Sequence, residues 1–543
     1  MFFEIREHDL AGRIGKLRTK SGTVETPTLL PVVNPNIQPI PPKEMEDKFG
    51  VEVLITNAYI LKKHFNEEVA EKGIHAFLNF DGVVMTDSGA YQILRYGDVE
   101  VAPDVIVKYQ ELIGTDIATI LDVPTGWEIG RARAEYTVNE TLRRAESLFE
   151  IKSRDDILWV GPIQGGLHLN LLAEAAKRMS ELPFQIYALG SPTVVMERYL
   201  FSQLVDMIVT AKSNLPSSKP LHLFGAGHPF MFALAVSLGC DLFDSAAYAL
   251  YAREDRYMTD RGTVKLQNLR WLPCSCPICI DKDPKDLLEL TAYERQRALA
   301  EHNLYVSMLE VKRIKEAIYE GRLWEYLEFK SKSHPSLYAA LKRLSNYRDF
   351  LEKASPTTKR RGLLFYSSLS LVRPEVTRHI KRLFERYTPP EDKKALILIP
   401  KLTSEPFIRS PLFESFMKEL KAALNGEVRK IHLCLYGWPF GITPIELEET
   451  YPLSQFVAPE FMDLETIKFT SEVVAKYIAD KNYRAAVLLS PSGELGGKIC
   501  EVFVKTCLSN GVEYQIVPFD GELDGKILRK CINLLRKILK YQS

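Results

Sequence analysis

Eight short apolar runs constrain this chain most: "TLLPVVN", "EVLITN", "VVMTD", "IATILD", "LWVGPIQ", "FQIYALG", "LHLFG" and "CDLFD". Each stops at a polar residue or a glycine, and amphipathic helical stretches lie between them. That alternation predicts a parallel sheet wrapped in helices, and eight such strands predict a closed (β/α)8 barrel of the α/β class. In such a barrel the carboxyl ends of the strands build the site. Asn57, Asp87, Asp122, Gln164, Gly190, Gly225 and Asp244 are therefore expected at one mouth. A single Asp at a strand end reads equally well as a helix N-cap. Three facing one cavity, Asp87, Asp122 and Asp244, would repel one another unless a ligand or a proton relieved them, so their clustering favours chemistry.

The chain has 543 residues, more than one compact core holds, which predicts two to four domains. Its 46% apolar and 26% charged residues are ordinary for a globular protein. The longest apolar run, around "PFMFALAVSLGCDLF", is too short and interrupted to span a bilayer, so a soluble, cytoplasmic protein without a membrane partner is expected. Formal net charge is zero. A nucleic-acid surface would have to come from segregated clusters such as "TKRRG" and "RHIKRLFER".

After the eighth run, "WLPCSCPICIDK" crowds Cys274, Cys276 and Cys279 into six residues, and His302 follows on a predicted helix. Three thiolates and an imidazole suit tetrahedral zinc, one ion per chain. Four protein ligands leave no open position, so the expected Zn2+ is structural. The alternative is a set of buried free cysteines or a disulfide. Cys240, Cys434, Cys500, Cys507 and Cys531 lie in apolar contexts and are expected in cores.

Taken in order, "TDSGAYQ", "LDVPT", "IQGG", "LFGAGHP", "FDSAAYALYA" and "PCSCPIC" resemble the tRNA-guanine transglycosylases, in particular their archaeal branch, over roughly the first 350 residues. The resemblance implies a zinc-containing TIM barrel. It would exchange guanine at position 15 of the tRNA D-arm for 7-cyano-7-deazaguanine (preQ0), a step toward archaeosine. Such base exchange at ribose C1′ passes through an oxocarbenium-like state that a carboxylate traps as an ester. By resemblance Asp244 is the nucleophile and Asp87 the general acid/base. Asp122 and Gln164 would read the polar edge of the purine, Gly190 and Ser191 would lie beside it, and Tyr91 would lie against its face. Two departures are visible: relatives often carry "DSGSFQ" and a Gly-Gly pair after the sixth strand, where this chain has "DSGAYQ" and Gly190-Ser191. The Ser191 side chain is expected to narrow the pocket. His228 in "GAGHP" is expected to be a structural loop histidine.

The expected domains are the barrel with its zinc site over 1–300, a helical extension and linker over 301–390, and a doubly wound α/β domain over 391–543. In the last, "GITPIELEETYPLSQF" resembles the accessory domain of archaeosine synthase, a paralogue that converts the nitrile to an amidine. Lys401, Glu405 and Phe413 stand where that paralogue carries Cys, Lys and His, so its nucleophile is missing here. The domain then reads as a scaffold or tRNA contact, and "SPSGELGGK" as a turn at a helix start. Competing functions are archaeosine synthase activity, a non-catalytic tRNA-binding subunit, and a metal-dependent barrel hydrolase, for which no His-x-His occurs at the strand ends. The expected partners are tRNA, preQ0 and guanine, with a homodimer left open. No run of short Gly-punctuated strands follows the basic amphipathic stretch "ILRKCINLLRKILKYQS", so a separate PUA-domain protein is expected to add grip on tRNA.

Overall fold

All eight apolar runs form strands, and they lie side by side. The computed structural model describes residues 2–90, 102–401, 406–460, 463–519 and 525–540. They fall into two units, Met1–Pro356 and Thr357–Ser543. The segment expected as a separate extension, 301–390, is thus divided: its first part packs with the barrel unit and the rest belongs to the second.

Three antiparallel strands open the chain: β1 (Phe3–Asp9), β2 (Gly12–Arg18) and β3 (Thr23–Thr26). The barrel strands follow as β4 (Thr28–Pro31), β5 (Val53–Asn57), β6 (Val83–Asp87), β7 (Ile117–Thr119), β8 (Leu158–Ile163), β9 (Ile186–Leu189), β10 (Leu221–Leu223) and β11 (Leu242–Ser245). Every pairing among them is parallel, in the order β4-β11-β10-β9-β8-β7-β6-β5. A parallel bridge between Val32 and Ile55, with Val33 N–H donating to Ile55 O at 2.8 Å, joins the two ends of that order into a ring.

These strands are apolar almost throughout because both faces are covered. Val53, Ile55, Val83 and Met85 point inward and meet Phe3, Leu17 and Val24 of the opening strands, so the antiparallel sheet packs onto the barrel's interior core. Leu54 and Val84, one residue out of phase, pack outward against Ala58, Leu61 and Ile113. A 29-residue helix, Ala292–Glu320, carries His302; Thr291 and Glu294 cap its start reciprocally and the left-handed Gly321 ends it.

The second unit holds a five-stranded sheet made of β15 (Ala395–Pro400), β16 (Ile431–Gly437), β17 (Gly441–Pro444), β19 (Ala485–Pro491) and β20 (Glu513–Phe519), in the order β17-β16-β15-β19-β20. The same unit has a short parallel pair, β14 (Leu363–Leu364) and β18 (Phe456–Val457), while the barrel unit carries an antiparallel hairpin of β12 (Arg256–Thr259) and β13 (Gly262–Lys265). In the five-stranded sheet only β17 runs antiparallel. Ala395, Ile397 and Ile399 of β15 pack with Phe416, Leu420 and Cys531 on one face. Leu396 and Leu398 pack with Val474, Tyr477 and Phe503 on the other. Helices therefore cover both faces, as a doubly wound unit requires. Among the described residues no helix is long and apolar enough to cross a membrane.

Candidate active site and metal centre

The strand ends expected at one mouth carry three hydrogen-bonded groups, around Asp87, Asp122 and Asp244. Asn57 and Asp87 end adjacent strands in direct register, and Asn57 Nδ2–H donates to Asp87 Oδ2 at 2.9 Å. Gly89 N–H reaches the same oxygen at 3.3 Å. Burial, and after it the charges of Asp122 and Asp244, pushes Asp87 up to about 7. The repulsion expected from three carboxylates is thus met by one of them readily holding a proton.

Asp122 lies in the loop after β7 and is 5% exposed. Gln164, just past β8 and itself buried, donates its amide N–H to Asp122 Oδ2. Burial pushes Asp122 up to about 6, against the opposing pull of the Gln164 amide and the Arg144 charge. The Gln164 carbonyl oxygen accepts from Thr125 N–H and from the Ser191 hydroxyl, each at 2.9 Å, so the side chain has one fixed orientation. Gly190 lies against that amide: a Cβ there would stand 2.3 Å from Gln164 Nε2.

Ser191 has φ +60°, in the left-handed region that favours glycine, which accounts for a Gly-Gly pair being tolerated at this turn. Its hydroxyl is committed to Gln164 and accepts from Gly126 N–H at 3.4 Å. It thereby steadies Gln164, which in turn holds Asp122. Tyr91 lies outside the described residues. His228 behaves as a loop residue: its Nδ1 accepts from Phe230 N–H at 3.1 Å and caps the turn Pro229–Met231.

Asp244 sits on β11 with its side chain 13% exposed. Its Oδ1 receives two contacts, His222 Nε2 at 2.8 Å and Gly225 N–H at 3.0 Å. Sequence reasoning passed over His222. The signal was a single polar residue inside the apolar run "LHLFG", at a position whose side chain has to point somewhere buried. It also passed over Arg144, whose guanidinium donates to Leu121 O at 3.0 Å beside Asp122.

The metal cluster is a separate feature of the same unit. The ligand atoms of Cys274, Cys276, Cys279 and His302 all lie within 4.8 Å of one another. Cys276 Sγ and Cys279 Sγ are 3.5 Å apart, and each is 3.4 Å from His302 Nδ1. The edges of a tetrahedral site with Cys and His ligands are about 3.5–3.8 Å, so the donors fit a bound metal ion. His302 Nε2–H donates to Met258 O at 2.9 Å, which turns Nδ1 toward the thiols as metal-bound imidazoles require. Tyr257 stacks on the ring at 3.7 Å and places its hydroxyl 3.4 Å from Cys279 Sγ. Sequence reasoning missed that support, since "DRYMTD" gives no sign of it.

A parallel barrel with polar side chains clustered at the carboxyl ends of its strands, and a separate Cys3His cluster, defines a TIM-barrel enzyme that keeps its metal site apart from its carboxylates. The comparisons make this specific: the family model described as queuine tRNA-ribosyltransferase matches residues 9–336, and the chain belongs to that family of tRNA-guanine transglycosylases, whose substrate is tRNA. Relatives named tRNA-guanine(15) transglycosylase include one from Saccharolobus solfataricus, 43% identical over 90% of this chain and 96% of its own length. One from Methanosarcina acetivorans is 44% identical over 86% of this chain and 89% of its own length. One from Methanocaldococcus jannaschii is 43% identical over 86% of this chain and 70% of its own length. A second family model, a domain of unknown function (DUF5591), matches residues 376–517.

Proposed function

We propose that this chain exchanges the guanine at position 15 of tRNA for 7-cyano-7-deazaguanine, in the route to archaeosine, through a covalent bond between Asp244 and the ribose. The observation that carries this reading is the contrast between two carboxylates at one mouth. Asp244 is held by two contacts on one oxygen, while Asp87 is pushed up to about 7 and can both give and take a proton near neutrality. A carboxylate oxygen of Asp244 bonds to C1′ as the bond from C1′ to guanine N9 breaks. The electron pair leaves with the guanine, which takes its proton from Asp87. The incoming base then loses a proton to Asp87, its N9 bonds to C1′, and the ester electrons return to Asp244. Asp122 and Gln164 bind the purine edge, and Gly190 and Ser191 line the wall beside it. The position follows the relatives, whose names carry the number 15.

We take the ion of the Cys274, Cys276, Cys279 and His302 cluster to be zinc, because three thiols and an imidazole select it. With no open position, it ties "PCSCPIC" to the helix Ala292–Glu320 and has no part in the chemistry.

Archaeosine synthase activity is the weaker reading for the second unit. Lys401, where that paralogue has its nucleophile, is spent in a buried ion pair with Glu448 at 3.1 Å. Glu405 lies outside the described residues. The unit reads as a scaffold or tRNA contact.

The test is incorporation of labelled preQ0 and labelled guanine into tRNA by the purified chain, with Asp244→Asn beside it. Wild type is expected to exchange both and to leave an RNA adduct that survives denaturant; Asp244→Asn is expected to do neither. Exchange at the wild-type rate in Asp244→Asn would move the nucleophile elsewhere, and exchange of guanine without preQ0 would reject the substrate.

A further inference from the structure

His222 lies directly beneath Asp244. It pairs with Leu242 across the parallel ladder between β10 and β11, and Leu242 faces the barrel interior. Asp244, two residues on, shares that face. His222 is fully buried, with Nε2 2.8 Å from Asp244 Oδ1. Its Nδ1 is buried and has no hydrogen-bond partner among the described residues.

The chemistry of the contact assigns its donor. An ionised carboxylate oxygen only accepts, so Nε2 must be the donor. His222 therefore aims Nε2–H at Oδ1. Oδ1 then carries two donors, His222 Nε2–H and Gly225 N–H at 3.0 Å, which fix the plane and rotamer of the carboxylate. Oδ2 takes no protein hydrogen bond among the described residues.

We propose that His222 is a positioning residue for the exchange: with Gly225 N–H it holds Asp244 Oδ1 and thereby presents Oδ2 as the oxygen that bonds to ribose C1′. This rests on the reading of Asp244 as nucleophile. In the first step the bond from Oδ2 to C1′ forms while the C1′–N9 bond breaks and the guanine leaves with the electron pair and a proton from Asp87. Oδ1 becomes the ester carbonyl and loses charge. In the second step the base N9 takes C1′, the Oδ2–C1′ electrons return to the carboxylate, and charge comes back onto Oδ1. The two donors stabilise that returning charge, so they speed ester breakdown as well as setting the attack geometry.

Glutamine and methionine at this position have nearly the same length and differ in the donor, so His222→Gln and His222→Met in the full chain separate donation from packing. The measurements are kcat and KM for tRNA, the fraction of chain trapped as denaturant-resistant adduct, and the thermal midpoint. His222→Met is expected to lower kcat about 10-fold to 100-fold, with KM for tRNA changed less than about 2-fold and a larger trapped fraction. His222→Gln is expected to recover most of the rate. A wild-type rate in His222→Met overturns the proposal, and so do equal losses in both variants at equal thermal midpoint, which would leave His222 as packing. If His222→Met does not fold, His222→Gln decides alone by running within about 3-fold of wild type or not. Asp244→Asn in the same trapping assay tests the underlying reading separately: an adduct there removes the nucleophile whatever His222 does.

Discussion

Asn57 serves two neighbours at once: its Nδ2–H donates to Asp87 Oδ2 at 2.9 Å, while its Oδ1 accepts Ile60 N–H at 3.0 Å and caps the helix Ala58–Lys72. The orientation of Asp87 is thus set by a strand-to-helix junction on the adjacent strand. Asn57→Ala is expected to cost about 1 kcal/mol of stability for the lost cap and to lower exchange about 10-fold by freeing Asp87. Exchange assays and thermal melts on the same preparation check both parts.

Asp87→Asn separates catalysis from stability. Exchange should fall about 100-fold or more, because the departing guanine loses its acid. Stability should move the other way. Burial, with the charges of Asp122 and Asp244, raises the folded-state value of Asp87 from 3.8 to about 7, so the folded chain holds a proton that the unfolded chain releases. The stability this gives is full below about 4 and is lost as pH rises through about 7. Asp87→Asn should therefore melt above wild type at pH 8, by about 2 °C or more, and together with it at pH 4. A lower melting point for the variant at pH 8 would contradict the raised value.

Gly190→Ala forces a methyl to within 2.3 Å of Gln164 Nε2. Gln164 has to move, and its contacts with Asp122, Thr125 N–H and Ser191 go with it. The expected result is a KM for the free base raised about 10-fold or more, with tRNA binding unchanged. Base-dependent kinetics at saturating tRNA measure it; an unchanged KM for the base would place the purine edge elsewhere.

Metal analysis of the native chain is expected to give one zinc. Cys276→Ser should reduce the content to well below one and lower the melting point, since ligand-to-metal binding energy is part of the folding energy. The ratio of preQ0 to guanine incorporation should not change, because none of the four ligand residues lies at the end of a barrel strand. A changed ratio would bring the metal site into base recognition.

Lys401→Met tests the second unit. Glu448 is fully buried and also accepts Phe407 N–H and Ile408 N–H, so removing its cation leaves a charge without its counter-ion. A loss of stability on the order of 3 kcal/mol is expected in denaturant unfolding of this unit. Exchange by the folded chain should remain within about 2-fold of wild type at low temperature, since the scaffold reading gives Lys401 no chemistry.

The barrel was legible because parallel strands buried on both faces must be short apolar runs, and because their last residues must be polar to reach a mouth. The opening strands β1 to β3 were not. "FEIREHD" alternates charged and apolar residues like any surface segment, and only Phe3, Leu17 and Val24 meeting the barrel interior show what it covers. The edge strand β17 was hidden for a similar reason, being four residues long.

By itself the sequence determined the eight strands, the residues that end them and the spacing of the three cysteines, since each is encoded within a few neighbouring residues. Only the tertiary structure decided that His222 holds Asp244 from 22 residues away, that Asn57 holds Asp87 from 30, and that Gln164 holds Asp122 from 42. The turn of the Ser191 hydroxyl toward Gln164, the stacking of Tyr257 on His302 and the division at Pro356 belong with these. Local pattern reports which face of a strand or helix is apolar, because that depends on periodicity along one segment. The partner of a buried polar atom is set by which strands become neighbours when the ring closes, and no single segment carries that information.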